Sequence, residues 1–318
     1  MTACVVQEYG AADVLAITRP PRPVPGDDEV LVRVRAAALN PVDVQLRKGQ
    51  FRFFTRFSPP FVPGSDVAGT VEAAGRSVTG FAAGDAVYGM LPTTQAGGYA
   101  EYAVLRTDQL APMADGCSFE EAAAVPLAAL TALQALRDLA GLQSGQTVLI
   151  NGASGGVGTF ALQIARAYGA HVTGVCSYRN VDLCTRLGAD RVIDYTETDV
   201  RSMDEHFDVV FDVHGTLPFP HARRLLHRGG RHVTTIPTPQ NYLQQARTLL
   251  ARTRSKVVVV QPSATDLEAL RLMIEAGEVV PVVDRVYALH KATEAQRYLE
   301  TRRASGKVVL RVGDEADD

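Results

Sequence analysis

The stretch Gly152-Ala153-Ser154-Gly155-Gly156-Val157-Gly158 constrains this chain more than any other feature. Upstream of it, Thr147-Val148-Leu149-Ile150 is a short apolar run, the pattern of a strand buried on both faces. Downstream, Val157, Phe160, Ala161, Ile164, Ala165 and Tyr168 recur at helical spacing and form one apolar stripe that must lie against a sheet. Residues 170–176 then read as a second strand. Strand, glycine turn, helix and strand make a βαβ unit, whose turn falls at the carboxyl edge of the sheet. Glycines there let a pyrophosphate approach the backbone, and the helix N-terminus meets it with unpaired N–H groups and a positive dipole end.

A chain of 318 residues exceeds the usual size of one hydrophobic core, so two domains are expected. Hydrophobic residues at 46% and charged residues at 21% fit an ordinary globular protein. A net charge of −3 provides no basic field for nucleic acid or an anionic membrane, and neither is expected as a partner. Residues 1–7 lack a basic segment followed by an apolar one, and no later run reaches membrane-spanning length. The cytoplasm is the expected compartment. Cys4, Cys117, Cys176 and Cys184 are scattered, which points to neither a disulfide framework nor a zinc knuckle. His206, His214, His221, His227 and His232 cluster, but at spacings of 8, 7, 6 and 5 that never give a helical i,i+4 metal pair. No metal site is expected.

The first third of the chain is β-rich. Residues 29–36 alternate like a strand with one wet face, and 67–73, 85–90 and 97–104 read as further strands separated by glycine turns. Short strands at this spacing suggest a small barrel. Between them, Phe51, Phe53, Phe54, Phe57 and Phe61 crowd a segment that is neither clean helix nor clean strand. It is either a loop packing its rings onto the barrel or an aromatic wall for a flat apolar substrate.

Ser118-Phe119-Glu120-Glu121 is a capping box that opens an alanine-rich helix, interrupted by Pro126 and resumed over 127–142. After Cys176 the α/β rhythm continues. Helices are expected at 181–187, 221–227 and 240–255, and strands at 191–195, 207–213, 232–236 and 256–260. The tail, with helices at 267–275 and 291–301 and strands at 279–287 and 307–312, is assigned back to the first lobe. Pro281 makes the first of those tail strands an edge.

The second strand of the βαβ unit ends in Ser177-Tyr178-Arg179-Asn180, with no carboxylate before Asp182. A carboxylate there would select NAD, whereas a guanidinium and a hydroxyl suit the 2′-phosphate of NADPH. NADPH is the expected cofactor.

Ala38-Leu39-Asn40-Pro41-Val42-Asp43, Pro63-Gly64-Ser65-Asp66-Val67-Ala68-Gly69, Gly97-Gly98-Tyr99-Ala100-Glu101-Tyr102, Pro126-Leu127-Ala128-Ala129-Leu130-Thr131-Ala132, the glycine turn, Leu187-Gly188-Ala189-Asp190 and Gly306-Lys307-Val308-Val309 run through almost the whole chain. Together they resemble the zinc-independent quinone oxidoreductase, or zeta-crystallin-like, branch of the medium-chain dehydrogenase/reductase superfamily. The resemblance implies an α/β fold in which a Rossmann doubly wound parallel sheet, 121–261, is flanked by a GroES-like β-barrel domain, 1–120 and 262–318, with the active site between them. It also implies a homodimer, with the 256–260 strand as a pairing edge.

Carried over position by position, the resemblance places Ser154, Gly155, Gly156 and Val157 on the pyrophosphate, and Ser177, Arg179 and Asn180 on the 2′-phosphate. It places Tyr195 beside the adenine. Thr131, Val213 and Ile236 approach the nicotinamide side, and Ala304 and Ser305 close over the cofactor. His214 stands where the family has a small residue, either entering the cofactor cleft or capping the strand. Zinc alcohol dehydrogenases carry a cysteine ligand where this chain has Asn40-Pro41-Val42-Asp43, and Gly-His-Glu where it has Gly64-Ser65-Asp66. The resemblance therefore implies hydride transfer without zinc to a quinone or an α,β-unsaturated carbonyl. Asn40 is the expected donor to the developing oxyanion, with Asp43 ordering its loop and Phe51, Phe54 and Tyr99 lining the substrate pocket. The alternatives are an NADPH-binding regulatory or structural protein with little turnover, and a pathway-specific enoyl reductase.

Overall fold

The computed structural model describes residues 1–52 and 58–313. The chain divides into two compact units. The first comprises Met1–Leu127, Pro262–Glu275 and the chain from Pro281 onward; the second comprises Ala128–Gln261 and Ala276–Val280.

The first unit is built on β1 (Ala3–Val6), β2 (Leu15–Thr18), β3 (Glu29–Ala38), β4 (Asp66–Ala74), β5 (Ala86–Met90), β6 (Tyr102–Arg106) and β7 (Leu110–Pro112). Helices α1 (Pro41–Arg47) and α2 (Phe119–Ala123) follow β3 and β7. In β3, Val30, Val32 and Val34 point into the core while Arg33 and Arg35 face out, so the period-2 pattern decides which face is buried. Beyond the alternation, the expected strand at 97–104 begins only at Tyr102. The backbone of 97–101 instead ties to other segments: Cys4 N donates to the Tyr99 carbonyl, and Tyr99 N donates to the Pro63 carbonyl.

The second unit opens in α3 (Pro126–Leu133), which continues as a π-helical turn over Gln134–Ala140 rather than as one regular helix. Then come β8 (Thr147–Asn151), α4 (Gly156–Ala167), β9 (His171–Cys176), α5 (Val181–Arg186), β10 (Arg191–Asp194) and β11 (Phe207–Asp212). Next follow α6 (Phe219–Ala222), β12 (Leu226–Thr234), α7 (Pro239–Arg247) and β13 (Arg254–Val257). The six strands are parallel in the order β10-β9-β8-β11-β12-β13. That order reverses direction between β8 and β11, the switch point at which doubly wound sheets bind ligands.

The tail of the chain supplies α8 (Ala264–Glu275), β14 (Val283–Ala288), α9 (Ala292–Glu300) and β15 (Lys307–Arg311). The large sheet of the first unit runs β14-β15-β3-β4-β5-β7, with β6 also on β3. Tyr88 in β5 donates its hydroxyl to the Leu267 carbonyl, which fixes α8 to this unit. Residues 276–280 go to the second unit instead, where the Gln163 side chain in α4 bonds both the N–H and the carbonyl of Val280. β14 starts only at Val283, so Pro281 lies ahead of the edge strand and leaves the ladder intact.

Two boundaries in the second unit differ from expectation for clear reasons. Helix α6 stops at Ala222, and β12 runs through Gly229 and Gly230 because the pairing with β11 shifts register there: Phe207 pairs with Leu226 and Val209 with Arg231, an irregularity that takes up residues 227–230. Helix α7 stops at Arg247, eight residues earlier than expected: the Thr248 hydroxyl donates to the Gln244 carbonyl and accepts from Ser255 N, and β13 begins at Arg254, two residues early. Strand β13 then ends where its partner does, at Thr234 opposite Val257.

His232, fully buried in β12, bonds the Ser255 hydroxyl at 2.9 Å and the Leu217 carbonyl at 3.2 Å. Burial pushes its imidazole down to about 4, against an opposing pull from the Asp212 carboxylate. The unfolded chain therefore binds a proton here that the native state refuses, and this group's contribution to stability is lost as pH falls from about 6.5 towards 4. In urea titrations over that window, His232→Gln is expected to lose less stability than the parent on acidification, by up to roughly 1.4 kcal/mol per pH unit. Parallel curves for the two proteins would contradict the assignment.

Candidate cofactor and active site

The carboxyl edge of β8 is where the constraint is tightest. Asn151 ends the strand, Gly152 turns it with φ +90°, and Gly155 precedes the first turn of α4 without any side-chain cap. A Cβ on Gly158 would sit 2.1 Å from the Gly152 carbonyl oxygen, so only glycine lets α4 start this close to the turn. Its first N–H groups have no intrahelical partner and face the loop that a polyanion would occupy.

Four of the residues carried over for the nucleotide gather here. The Asn180 side-chain nitrogen donates to the Ser154 hydroxyl at 2.9 Å, tying the end of β9 to the glycine turn. Asn180 N also donates to the Ser177 carbonyl, closing a 3₁₀ turn that presents Arg179. Ser177 is buried at the base of that turn, whereas Arg179 is exposed and makes no ion pair among the described residues. Tyr195, 60% exposed, is fixed one strand away by its N–H on the Cys176 carbonyl. The nearest strand-end carboxylate, Asp194, is already occupied by the N–H and hydroxyl of Thr196. A glycine cradle, an uncapped helix start and an unpaired guanidinium are the chemistry a phosphorylated dinucleotide requires, so these residues fit one.

On the other side of the switch point, Asp212 at the end of β11 is almost fully buried. Its carboxylate accepts from the Asn151 side chain at 2.7 Å, Gly215 N at 2.9 Å and Leu217 N at 3.1 Å. It thereby shapes the loop of Val213, His214 and Gly215. Any side chain at Gly152 would meet the His214 Cβ at 3.0 Å, so His214 flanks the glycine turn with its ring exposed. Thr235 bonds the Val213 carbonyl, and Asn241 bonds the Ile236 carbonyl. Sequence reading passed over Asp212 and Asn151 as organisers. An acid closing a strand before His-Gly-Thr was the available signal, since such a side chain accepts from backbone N–H groups two or three residues on. Thr131 is buried in α3.

In the first unit a buried polar network replaces what was expected. Asn40 donates from its amide nitrogen to Asp66 at 3.0 Å and accepts from Lys307 Nζ at 2.6 Å. Both ends of the Asn40 amide thus bond inside the network, and its nitrogen also lies 3.5 Å from the Ala38 carbonyl. Lys307 also pairs with Asp66 at 3.0 Å, and the other Asp66 oxygen accepts from Leu127 N at 2.7 Å. Tyr99, assigned to a pocket wall, is completely buried, with its hydroxyl on Asp43. Its ring fills the barrel core and cannot line a pocket. The Asp43 carboxylate accepts from Asn40 N at 2.8 Å and closes the first turn of α1, the loop-ordering part expected of it. Phe54 lies outside the described residues, as do Phe53 and Phe57; Phe51 is half-buried after α1. Ala304 packs against the barrel core and Ser305 precedes β15.

The same network bears on zinc. Among the described residues no three His, Cys, Asp or Glu side chains are grouped to hold a metal. Where zinc relatives carry ligands, this chain sets Asn40 and Asp66 around the ammonium of Lys307, a cation paired with the Asp66 carboxylate. Those donors do not fit a divalent ion.

The comparisons with known proteins agree with this geometry. Residues 26–115 match the alcohol dehydrogenase GroES-like domain, and residues 187–310 match the domain described as zinc-binding dehydrogenase. The chain is 34% identical over 312 residues to the chloroplast envelope quinone oxidoreductase homolog of Arabidopsis thaliana, covering 95% of each. It is 35% identical over 323 residues to the NADPH-dependent alkenal/one oxidoreductase of the same plant, covering 98% of this chain and 79% of that one. The quinone oxidoreductase of Coxiella burnetii superposes with a TM-score of 0.89 at 30% identity, over 98% of this chain and 99% of that one. The fold and site define an oxidoreductase of the medium-chain dehydrogenase/reductase type. Within that superfamily, the chain belongs to the zeta-crystallin-like quinone oxidoreductases.

Burial pushes the Asp43 carboxyl up to about 7, against the lowering effect of the Asn40 N–H and the Tyr99 hydroxyl; Asp66 raises it further and Lys307 lowers it. The native state thus holds a proton that the unfolded chain releases near 3.8, and this contribution is lost as pH rises from about 4 to about 7. The sign is opposite to that of His232. Asp43→Asn is expected to gain stability relative to the parent across this window, read as a urea midpoint that diverges upward with pH. A constant offset between the two proteins would contradict it.

Proposed function

We propose that the chain transfers a hydride from NADPH to a quinone or to the β-carbon of an enone or enal, without a metal. The observation that carries this reading is the glycine turn joined to Ser177, Arg179 and Asn180 with no competing carboxylate. Bound NADPH supplies the hydride. The protein's part is to bind and orient it: the α4 N-terminus takes the pyrophosphate, Ser177 and Arg179 the 2′-phosphate, and Tyr195 the adenine, while Thr131, Val213, His214 and Ile236 flank the nicotinamide. The second unit acts as the NADPH-binding domain and the first as the GroES-like catalytic domain, with the segment from Phe51 through Phe54 as the acceptor's apolar wall.

An already electrophilic acceptor needs placement more than acid catalysis. Asn40 and Asp43 are buried in the barrel network, and the developing enolate or hydroquinone oxygen takes its proton from water. The protein acts as a homodimer, a reading supported by edge strand β13 and by exposed Leu249, Leu250 and Val259 near it.

Loss of NADPH absorbance with 1,2- and 1,4-quinones and with enones tests the activity. Turnover is expected with at least one class, and none above background with any of them would defeat the proposal. Arg179→Ala is expected to raise the KM for NADPH by roughly tenfold or more, as losing a charge-assisted phosphate contact does, while NADH kinetics change little. Equal losses with both nucleotides would place Arg179 away from the 2′-phosphate.

A further inference from the structure

Within the second unit, a groove of about 280 Å³ lies between the π-helical turn, the end of α7 and strand β13. That is just below the roughly 300 Å³ at which small-molecule pockets begin. Most of its polar lining is already spent on bonds within the fold. Gln245 Oε1 accepts from Val257 N at 2.7 Å, and the Thr248 hydroxyl accepts from Ser255 N at 3.0 Å. The Ser255 hydroxyl is bonded to the His232 ring at 2.9 Å, and Arg254 Nε donates to the Ala251 carbonyl at 3.0 Å. What the groove has left to offer is aliphatic surface from Leu139 and Leu249, the latter 65% exposed, and two cations. The Lys256 ammonium and the terminal nitrogens of Arg254 have no partner among the described residues.

No acidic group in the lining offsets that charge. Residues 213–265 contain no aspartate or glutamate at all. On the neighbouring strand, Arg254 stands opposite Arg231 and Lys256 opposite Val233. Asp138, the residue before Leu139, is held by Arg137 in bonds of 2.6 and 2.8 Å. Arg254 and Lys256 are two residues apart on one strand, so they share a face with their backbones roughly 6.6 Å apart. One carboxylate can reach both heads.

We infer that this groove binds a single amphiphilic anion, an aliphatic carboxylate of medium chain length. Its head lies on Lys256 and Arg254 in charge-assisted bonds, and its tail covers Leu139 and Leu249. A cationic head of the same length would meet two like charges, and a carboxylate without a tail would leave the leucines wet. The groove stands at the edge of the sheet, away from the glycine turn at β8, and the inference does not depend on the hydride-transfer reading.

Calorimetric titration of the full chain with decanoate tests this, with acetate as the head-only probe and decyltrimethylammonium as the probe of opposite charge. Decanoate is expected to bind once per chain, and the other two at least roughly tenfold more weakly. Lys256→Met and Leu249→Ser are each expected to weaken decanoate by roughly fivefold or more, while both keep the parent's circular dichroism spectrum. Equal affinity for decanoate and decyltrimethylammonium would reduce the groove to an apolar patch and overturn the proposal. So would decanoate binding that neither variant changes. No decanoate bound would also overturn it: a chain that then sediments as a dimer gives Leu249 to the second copy, and one that floats with phosphatidylglycerol vesicles, except as Lys256→Met, gives the cations to a lipid surface. A chain that binds decanoate through Lys256 but reduces no quinone or enone would lose the hydride-transfer reading and keep this one.

Discussion

The contact on which the second unit depends is a backbone approach, Gly158 against the Gly152 carbonyl. It leaves no room for a Cβ, and it sets α4 directly over the end of β8. From that start the helix crosses to β9, whose far end delivers Ser177 and the 3₁₀ turn, while the sheet order reverses beside it at β11. Asp212 then spends its whole carboxylate on the loop that faces the glycine turn. The site is therefore shaped mainly by backbone N–H groups and by the buried side chains that hold them. Such a site costs little further ordering when a polyanion arrives.

The first unit relies on a different economy. Its strands follow simple alternation, but the residues that resemble an active site form a closed polar network inside the barrel: Lys307, Asp66, Asn40, Asp43 and Tyr99. A buried carboxylate and ammonium are tolerable only when paired and hydrogen-bonded, and here each is. The Asp43 carboxylate carries the remaining imbalance, with one oxygen unpartnered, which is why burial raises its pKa. The network holds the backbone at the starts of α1, β4 and β15.

What could be read from the sequence follows from how local each signal is. The βαβ unit was legible because its strand, turn and helix are contiguous, and Ser177 to Asn180 because they lie at a strand end whose position the turn fixes. The long-range pairs were not legible. Asn40 and Lys307 meet across 267 positions, and nothing local to Asn40 announces that its amide is already occupied. Tyr99 sits in a motif-like stretch whose strand pattern is broken by backbone bonds to Pro63 and Cys4, and those bonds turn its ring inward. Helix α7 and strand β13 were misplaced for a similar reason, since one threonine hydroxyl, bonding both sides of the turn, outweighs the helical periodicity beyond it.

The central claim is that this scaffold holds NADPH so that its hydride passes directly to carbon or to a quinone. The most direct measurement is reduction of an enone with NADPH carrying deuterium at the nicotinamide C4, each face labelled in turn, followed by mass and NMR analysis of the product. The account predicts one deuterium at the β-carbon from one labelled face and none from the other. Saturated product without deuterium from either face would contradict direct hydride transfer.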